Sequence, residues 1–415
     1  MDKIKSLAIK YKNILQNFSY LTILQVFNLF FPVIIYPFFI DLFGLDLWGK
    51  IVLAQSLAFF LAIFVDFGYD RYATKEISIH RNNFKKLSEI SSCVILIRVV
   101  LGIIVFNLFA IVVYNAPFFK GDEVLYLVSF FVNFNFILFP KWFFLGMERM
   151  KYIVLINVSV KVLFVILMYV FIKDKSDYLL VPLFFGLGAF VGGLIGIKML
   201  FSFKGISFKI YPFKMYYHYI KSSYLLFASA LVISIKDRFN IFIVGYFLGM
   251  QEVAIYDIGM KLVSLIMQPI ESVNGAIFPK VAKELNMDFV KKVAGYSLIY
   301  VISVIFMAQL FLAYIFDFLN VKEIIFEKSI RLLLFIPVFL TMSLFLARNC
   351  FIVHDKFKLL FSSMIWTSLF YLVLVTCLFL TKNTQFDYLV LSVFLVYIFE
   401  FLYRYMLSKK YRLLE

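Results

Sequence analysis

The sequence has few of the residues that catalysis, metal binding and covalent cross-linking require. It contains three histidines and three cysteines in 415 residues. Neither set has the spacing of a zinc site or of a disulfide framework. No ATP-binding motif is visible, and every predicted loop is too short to hold a catalytic domain. We therefore expect no cofactor, no metal and no enzymatic activity, and the sequence argues against an ATP-driven pump.

Charged residues are also scarce. They make up 16% of the chain, whereas 63% of the residues are hydrophobic and the mean hydropathy is +0.94. A soluble domain would have about 25% charged residues. Apolar runs of about 20 residues, the length that crosses a bilayer, occur twelve times, the first near 14–40 and the last near 386–407. The sequence predicts an all-α, polytopic membrane protein with about twelve transmembrane helices.

The distribution of positive charge predicts how the chain is oriented in the membrane. The chain has 41 Lys and Arg against 25 Asp and Glu, a net charge of +16. Most of these cations fall in alternate loops, which the positive-inside rule assigns to the cytoplasm. We predict cytoplasmic N- and C-termini and no cleaved signal peptide. Membrane topology explains the basic charge, so we expect no nucleic-acid partner.

The two halves of the sequence resemble each other weakly. Residues 44–49 (GLDLWG) precede the second predicted span, and residues 249–254 (GMQEVA) precede the eighth. Continuing without a gap, Asp66 aligns with Glu271 at an offset of about half the chain. Six spans in each half predict parallel repeats related by a pseudo-twofold axis, with a central cavity between them. The predicted units are a six-helix bundle over 1–203 and a second one over 204–415.

Six cations lie inside predicted spans, where a charge is costly and usually faces a protein interior or a water-filled path. They are Arg98, Lys141, Lys161, Lys236, Arg238 and Lys261. We predict that these side chains bind an anionic substrate. Alternatives remain for some of them. Arg98 and Lys141 could extend to the lipid headgroups, Asp237 could neutralise its two neighbours, and Lys261 could form a structural ion pair with an acid four residues earlier.

Four intramembrane acids are candidates for ion coupling, because a carboxylate removed from water can bind and release a proton during a transport cycle. They are Asp66, Glu271, Asp237 and Asp257. The alternative for Asp66 and Glu271 is a structural role near the cytoplasmic ends of their spans, paired with Arg71 and Lys280.

Three segments resemble a known family. They are residues 40–57 (IDLFGLDLWGKIVLAQSL), 65–77 (VDFGYDRYATKEI) and 140–148 (PKWFFLGME). Their order and residue types are similar to the polysaccharide biosynthesis family of Wzx-type O-antigen flippases. This family belongs to the multidrug/oligosaccharidyl-lipid/polysaccharide exporter superfamily. The twelve-span pattern extends the resemblance over the whole chain.

The resemblance implies a V-shaped pair of bundles in a bacterial inner membrane. It implies transfer of an undecaprenyl-diphosphate-linked oligosaccharide, such as an O-antigen or capsule repeat unit, from the cytoplasmic to the periplasmic leaflet by alternating access. Its partners would be membrane lipids and a polysaccharide polymerase with a chain-length regulator. No substrate-contact signature transfers to named positions. A cation-coupled multidrug antiporter of the same fold and a membrane polysaccharide polymerase are the alternatives.

Overall fold

The computed structural model describes the backbone of residues 2–321, 326–381 and 385–414. It describes the side chains of these residues except those of 2–18, 21, 232, 233, 235–239 and 279. Three of the predicted site residues, Lys236, Asp237 and Arg238, therefore have side chains outside the described part.

The first half of the chain folds into helices of very different lengths. They are α1 (Asp2–Asp66), α2 (Tyr69–Ile79), α3 (Phe84–Asn115), α4 (Glu123–Ser129), α5 (Phe134–Ile137), α6 (Lys141–Gly146), α7 (Met150–Phe171) and α8 (Leu180–Ser202). Gly44 interrupts α1 with a φ of 75°, a conformation that only glycine adopts without strain. Two spans predicted as separate thus share one continuous helical element with a kink.

The second half also contains helices of very different lengths. They are α9 (Phe213–Phe247), α10 (Met250–Glu284), α11 (Met287–Leu310), α12 (Leu312–Phe318), α13 (Glu327–Leu333), α14 (Ile336–Phe345), α15 (Phe357–Leu380) and α16 (Phe386–Lys410). A π-helical segment (Leu346–Ile352) continues α14. Side chains cap two of the helices, because Asn83 and Asn286 accept hydrogen bonds from the backbone of the third residue that follows.

Within the described residues, ten helices are long and apolar enough to cross a membrane. The part of α1 from Thr22 to Asp66 counts as one of them, although it is 45 residues long and contains the kink. The predicted all-α membrane class is confirmed. The count of twelve spans stays a prediction.

The chain divides into two compact units. The first comprises Met1–Phe31 and Ile51–Ser234, and the second comprises Pro32–Lys50 and Ile235–Glu415. The middle of α1 thus belongs to the second unit, while both of its ends belong to the first. The division predicted at residues 203 and 204 stays a prediction.

The core of the first unit is rich in aromatic side chains. Tyr69, Ala73 and Ile77 form one fully buried face of α2, which packs with Trp142 and Phe143 of α6. These three positions are four residues apart and therefore lie on the same side of the helix. The packing fixes α2 against the short helix α6.

In the second unit α10 is the most deeply buried element. Every residue from 253 to 259 is buried, and α10 packs against α11, α13 and α14. α14 in turn packs against α16. Polar side chains within this buried stretch have little access to water and must find partners within the unit.

Candidate functional site

A buried charge cluster lies in the first unit, where α3 meets the end of α1. The Arg98 side chain is 1% exposed. Its Nη2 donates hydrogen bonds to Asp66 Oδ1 and, at 2.9 Å, to Asp70 Oδ1. The guanidinium is therefore neutralised by two carboxylates. This arrangement differs from both the pairing of Asp66 with Arg71 and the headgroup position of Arg98 considered from the sequence.

The turn between α1 and α2 brings these two carboxylates together. Gly68 has a φ of 80°, and a Cβ at this position would lie 2.9 Å from atoms of Leu226 and Phe227. Only glycine meets both requirements. The helix therefore breaks for only two residues after Asp66, and the backbone N–H of Asp70 donates to Asp66 Oδ1 at 3.2 Å.

Lys141 begins α6 beside this cluster. Its Nζ is 3.9 Å from Asp70 Oδ2, at the limit of an ion pair, and its side chain is 50% exposed. Burial of the Asp70 carboxyl opposes its ionisation, but Arg98 and Lys141 outweigh burial and hold the pKa of Asp70 below its usual range. Since Asp70 already accepts a shorter hydrogen bond from Arg98, the Lys141 ammonium keeps open directions for a further anion.

Lys161 lies on α7 in the same unit and faces the N-terminal part of α1. Its Nζ donates to Asn28 Oδ1 at 2.6 Å and lies 5.2 Å from the centre of the Phe31 ring. An amide oxygen and an aromatic face both stabilise an ammonium without removing its charge. Lys161 is half-buried.

A second charged group lies in the second unit, between the middle of α1 and α10. Tyr36 Oη donates a 2.5 Å hydrogen bond to Asp257 Oδ2. Lys261 Nζ is 4.0 Å from Asp257 Oδ1, and its side chain is 47% exposed, compared with 10% for Asp257. The i, i+4 geometry predicted for Asp257 and Lys261 is therefore present. The carboxylate is bound mainly by the phenol, and the ammonium points to the unit's surface.

Glu271 is also on α10, where its side chain is exposed. It interacts electrostatically with Arg348 of the π-helical segment. Lys280, the partner considered from the sequence, instead places its Nζ 4.4 Å from the centre of the Phe289 ring.

Sequence reasoning missed a buried ion pair in the second unit. Arg404 Nη1 lies 2.7 Å from Glu400 Oε1, with side-chain exposures of 7% and 5%. The guanidinium also donates to the hydroxyls of Ser343 and Ser363. Arg404 and Glu400 both lie inside α16. An acid and a base four residues apart in the last apolar run were the signal for this pair.

Four of the described cations fall into two kinds, according to whether the side chain is enclosed or half-exposed. Arg98 and Arg404 are enclosed and paired, and so they hold helices together. Lys141 and Lys261 are half-exposed, and each lies at the edge of a carboxylate that another group already binds. Lys141 and Lys261 therefore keep part of their side chains accessible, whereas Arg98 and Arg404 do not. Apolar helices of membrane-spanning length that carry half-exposed cations place the described chain in the class of polytopic membrane proteins.

Comparison with known proteins identifies the family of this chain. Residues 14–284, more than half of the chain, match the family described as Polysaccharide biosynthesis protein, and the chain belongs to that family. A protein of Shigella dysenteriae named "Putative O-antigen transporter" is 22% identical over 66% of this chain and 69% of its own length. A protein with the same name from Escherichia coli K12 is 20% identical over 67% of each chain.

Solved structures support the fold. An inward-facing multidrug resistance MATE family transporter of the MOP superfamily has a TM-score of 0.65 at 16% identity, covering 91% of this chain and 98% of its own. A eukaryotic MATE transporter has a TM-score of 0.62 at 12% identity, covering 98% and 95%. At these identities the likeness shows the MOP fold alone. The family and the fold together make this chain a multi-pass membrane flippase or transporter.

Proposed function

We propose that this protein moves an undecaprenyl-diphosphate-linked oligosaccharide from the cytoplasmic to the periplasmic leaflet of a bacterial inner membrane by alternating access. The observation that carries the proposal is the half-exposed state of Lys141 and Lys261 within apolar helices. The names of the two related O-antigen transporters support the same class of substrate.

The chemistry of such a substrate fits these cations. Both phosphates of a diphosphate are ionised at neutral pH, and moving them unaided through hydrocarbon is prohibitive. Lysine ammonium groups can replace part of the lost hydration through charge-assisted hydrogen bonds. Lys161, with its bond to the neutral amide of Asn28, is the third cation in this role. Lys236 and Arg238 remain candidates by sequence.

An ion gradient, substrate mass action and the membrane potential are the candidate energy sources, and the charge of the substrate favours a contribution from the potential. An inside-negative membrane potential favours outward movement of an anion by about 2.3 kcal/mol per charge per 100 mV. Asp257, held by Tyr36 and close to Lys261, is the ion-coupling candidate with the best-defined surroundings, because its protonation would weaken both contacts.

The test is transport of a fluorescent undecaprenyl-diphosphate oligosaccharide in proteoliposomes. Wild type is compared with Lys161→Ala, Lys261→Ala, Lys236→Ala and Arg238→Ala. Lys151→Ala is the matched control, because Lys151 is an exposed lysine at the start of the same helix as Lys161. We expect the wild type and the control to move the lipid, and the intramembrane variants to lose most of the rate.

Two results would contradict the proposal. One is a folded wild type that moves no lipid but exports a cationic dye against a gradient, which would indicate a multidrug antiporter. The other is a wild type that lengthens glycan chains, which would indicate a polymerase.

A further inference from the structure

The alignment of the two sequence halves pairs a cluster that has two carboxylates, Asp66 and Asp70, with one that has a single carboxylate, Glu271. At the offset that pairs Asp66 with Glu271, Asp70 pairs with Gly275. In the first unit Asp70 receives Arg98 and Lys141. In the second unit the corresponding position has no side chain, yet a cation faces it. A Cβ on Gly275 would lie 3.6 Å from Arg348 Nη1.

The cations come from matching spans. Lys141 lies in α6, within the fourth predicted span (about 123–146). Arg348 lies in the π-helical segment, within the tenth predicted span (about 328–350), which is the counterpart of the fourth in the second half. Lys141 has the carboxylate of Asp70 at 3.9 Å. Arg348 forms no ion pair within 4.0 Å among the residues that the structure describes, and Glu271 acts on it only through a longer-range electrostatic interaction.

The protein holds Arg348 in this place. Its guanidinium carbon lies 5.2 Å from the centre of the Phe278 ring. The next residue, Asn349, is fully buried, and its amide donates to Asn274 Oδ1 on α10. Asn349 and Arg348 both lie in the π-helical segment, a widened turn that often marks a functional position. The buried amide pair thus fixes the segment against α10 and presents the guanidinium beside Gly275.

We propose that Arg348, over the gap left by Gly275, binds a phosphate group supplied by a ligand. The guanidinium offers two parallel N–H donors, a geometry that matches phosphate oxygens. Asn274 is the residue before Gly275. Its Nδ2 is buried and has no hydrogen-bond acceptor in the described chain. The π-helical segment ends at Ile352, and α15 begins only at Phe357, so Arg348 lies near the end of its span.

The phosphate could come from a lipid-linked diphosphate or from a phospholipid headgroup. Both present the same oxygens near the end of a span, where the headgroup region begins. This site lies outside the cations invoked for transport, and it can be tested without a transport assay.

The experiment is phenylglyoxal modification of arginines in the purified full-length protein, read residue by residue by mass spectrometry. Inorganic pyrophosphate is the soluble probe, and nanodiscs of phosphatidylglycerol are compared with nanodiscs of phosphatidylcholine. We expect pyrophosphate or phosphatidylglycerol to slow the modification of Arg348 about tenfold. Protection by pyrophosphate assigns the site to a diphosphate, and protection only by phosphatidylglycerol assigns it to a headgroup. Arg149, which is exposed, is the unprotected control, and buried Arg98 should stay unmodified throughout.

Two variants sharpen the test. Gly275→Asp restores the carboxylate that the first unit has, and should protect Arg348 without any added anion. Gly275→Asn has the same size without the charge and should leave Arg348 reactive. The proposal is overturned if Arg348 reacts equally with and without both anions. It is also overturned if Arg348 in the wild type, free of added anion, is as unreactive as Arg98.

Discussion

Gln251 donates a 3.0 Å hydrogen bond to Asp46, and the two residues are 205 positions apart. The same offset pairs Asp66 with Glu271 and residues 44–49 with 249–254. Each residue of this pair thus contacts its own equivalent in the other half of the sequence. Both segments belong to the second unit.

We predict that this contact tolerates no side chain at Gly49. A Cβ there would lie 1.8 Å from the carbonyl oxygen of Met250, so the backbone would have to move. Gly49→Ala should lower the free energy of unfolding by about 3 kcal/mol or more. Gly295→Ala is the control, because a Cβ at Gly295 meets open space within helix α11, and it should stabilise by up to about 1 kcal/mol. Thermal unfolding in detergent measures both. Equal melting temperatures would show that the two segments are not in close contact.

Removal of Arg98 should destabilise the protein far more than removal of Lys141. Arg98→Gln removes a fully buried guanidinium and leaves two half-buried carboxylates without their cation, a loss of about 3 kcal/mol. Lys141 is half-exposed with a long ion pair, so Lys141→Gln should cost about 1 kcal/mol or less. The yield of monodisperse protein and its thermal unfolding compare the two variants. A mild effect of Arg98→Gln would mean that Asp66 and Asp70 find other partners.

The Asp70 carboxylate should make stability depend on pH. Its pKa in the folded protein lies below its usual range, so its contribution is present above the ordinary pKa of aspartate. The contribution is lost as the pH falls through the folded pKa. Asp70→Asn should therefore flatten the loss of stability on acidification below about pH 4. Melting temperatures across this pH range, for the variant and the wild type, provide the measurement. Parallel curves would contradict the prediction.

Substitutions of Tyr36 and Lys261 should affect stability and transport to different extents. Tyr36→Phe removes a hydrogen bond to a charged, buried group and should cost about 1.5–3 kcal/mol. Lys261→Met removes a half-exposed ion pair and should cost about 1 kcal/mol or less, but should slow lipid movement more. Paired unfolding and proteoliposome assays give the two rankings. The same ranking in both assays would remove Lys261 from the substrate path.

The ion pair of Arg404 and Glu400 should behave as one unit. Arg404→Met alone leaves a buried carboxylate and should cost about 3–5 kcal/mol. The double variant Arg404→Met, Glu400→Gln should recover much of that loss, since no buried charge remains. A double-variant cycle on unfolding free energies measures the coupling. Additive losses would show that the two charges act independently.

The sequence by itself determined the membrane class and the helical fold. Apolar runs of bilayer length predict helices, because a helix satisfies every backbone hydrogen bond within one segment. It also predicted the Asp257–Lys261 geometry, because positions four apart on a helix are neighbours whatever surrounds them.

The tertiary structure decided which cations are paired and which are available. Arg98 and Lys141 look alike in the sequence, yet one is enclosed by two carboxylates and the other is half-exposed. Arg348 and Arg404 both lie within helical segments, yet Arg404 is enclosed by an ion pair and Arg348 has no carboxylate within 4.0 Å among the described residues. Pairing between spans depends on how each helix is rotated and packed against its neighbours. That rotation is set by many side chains from distant parts of the chain, so a local pattern of residues cannot predict it.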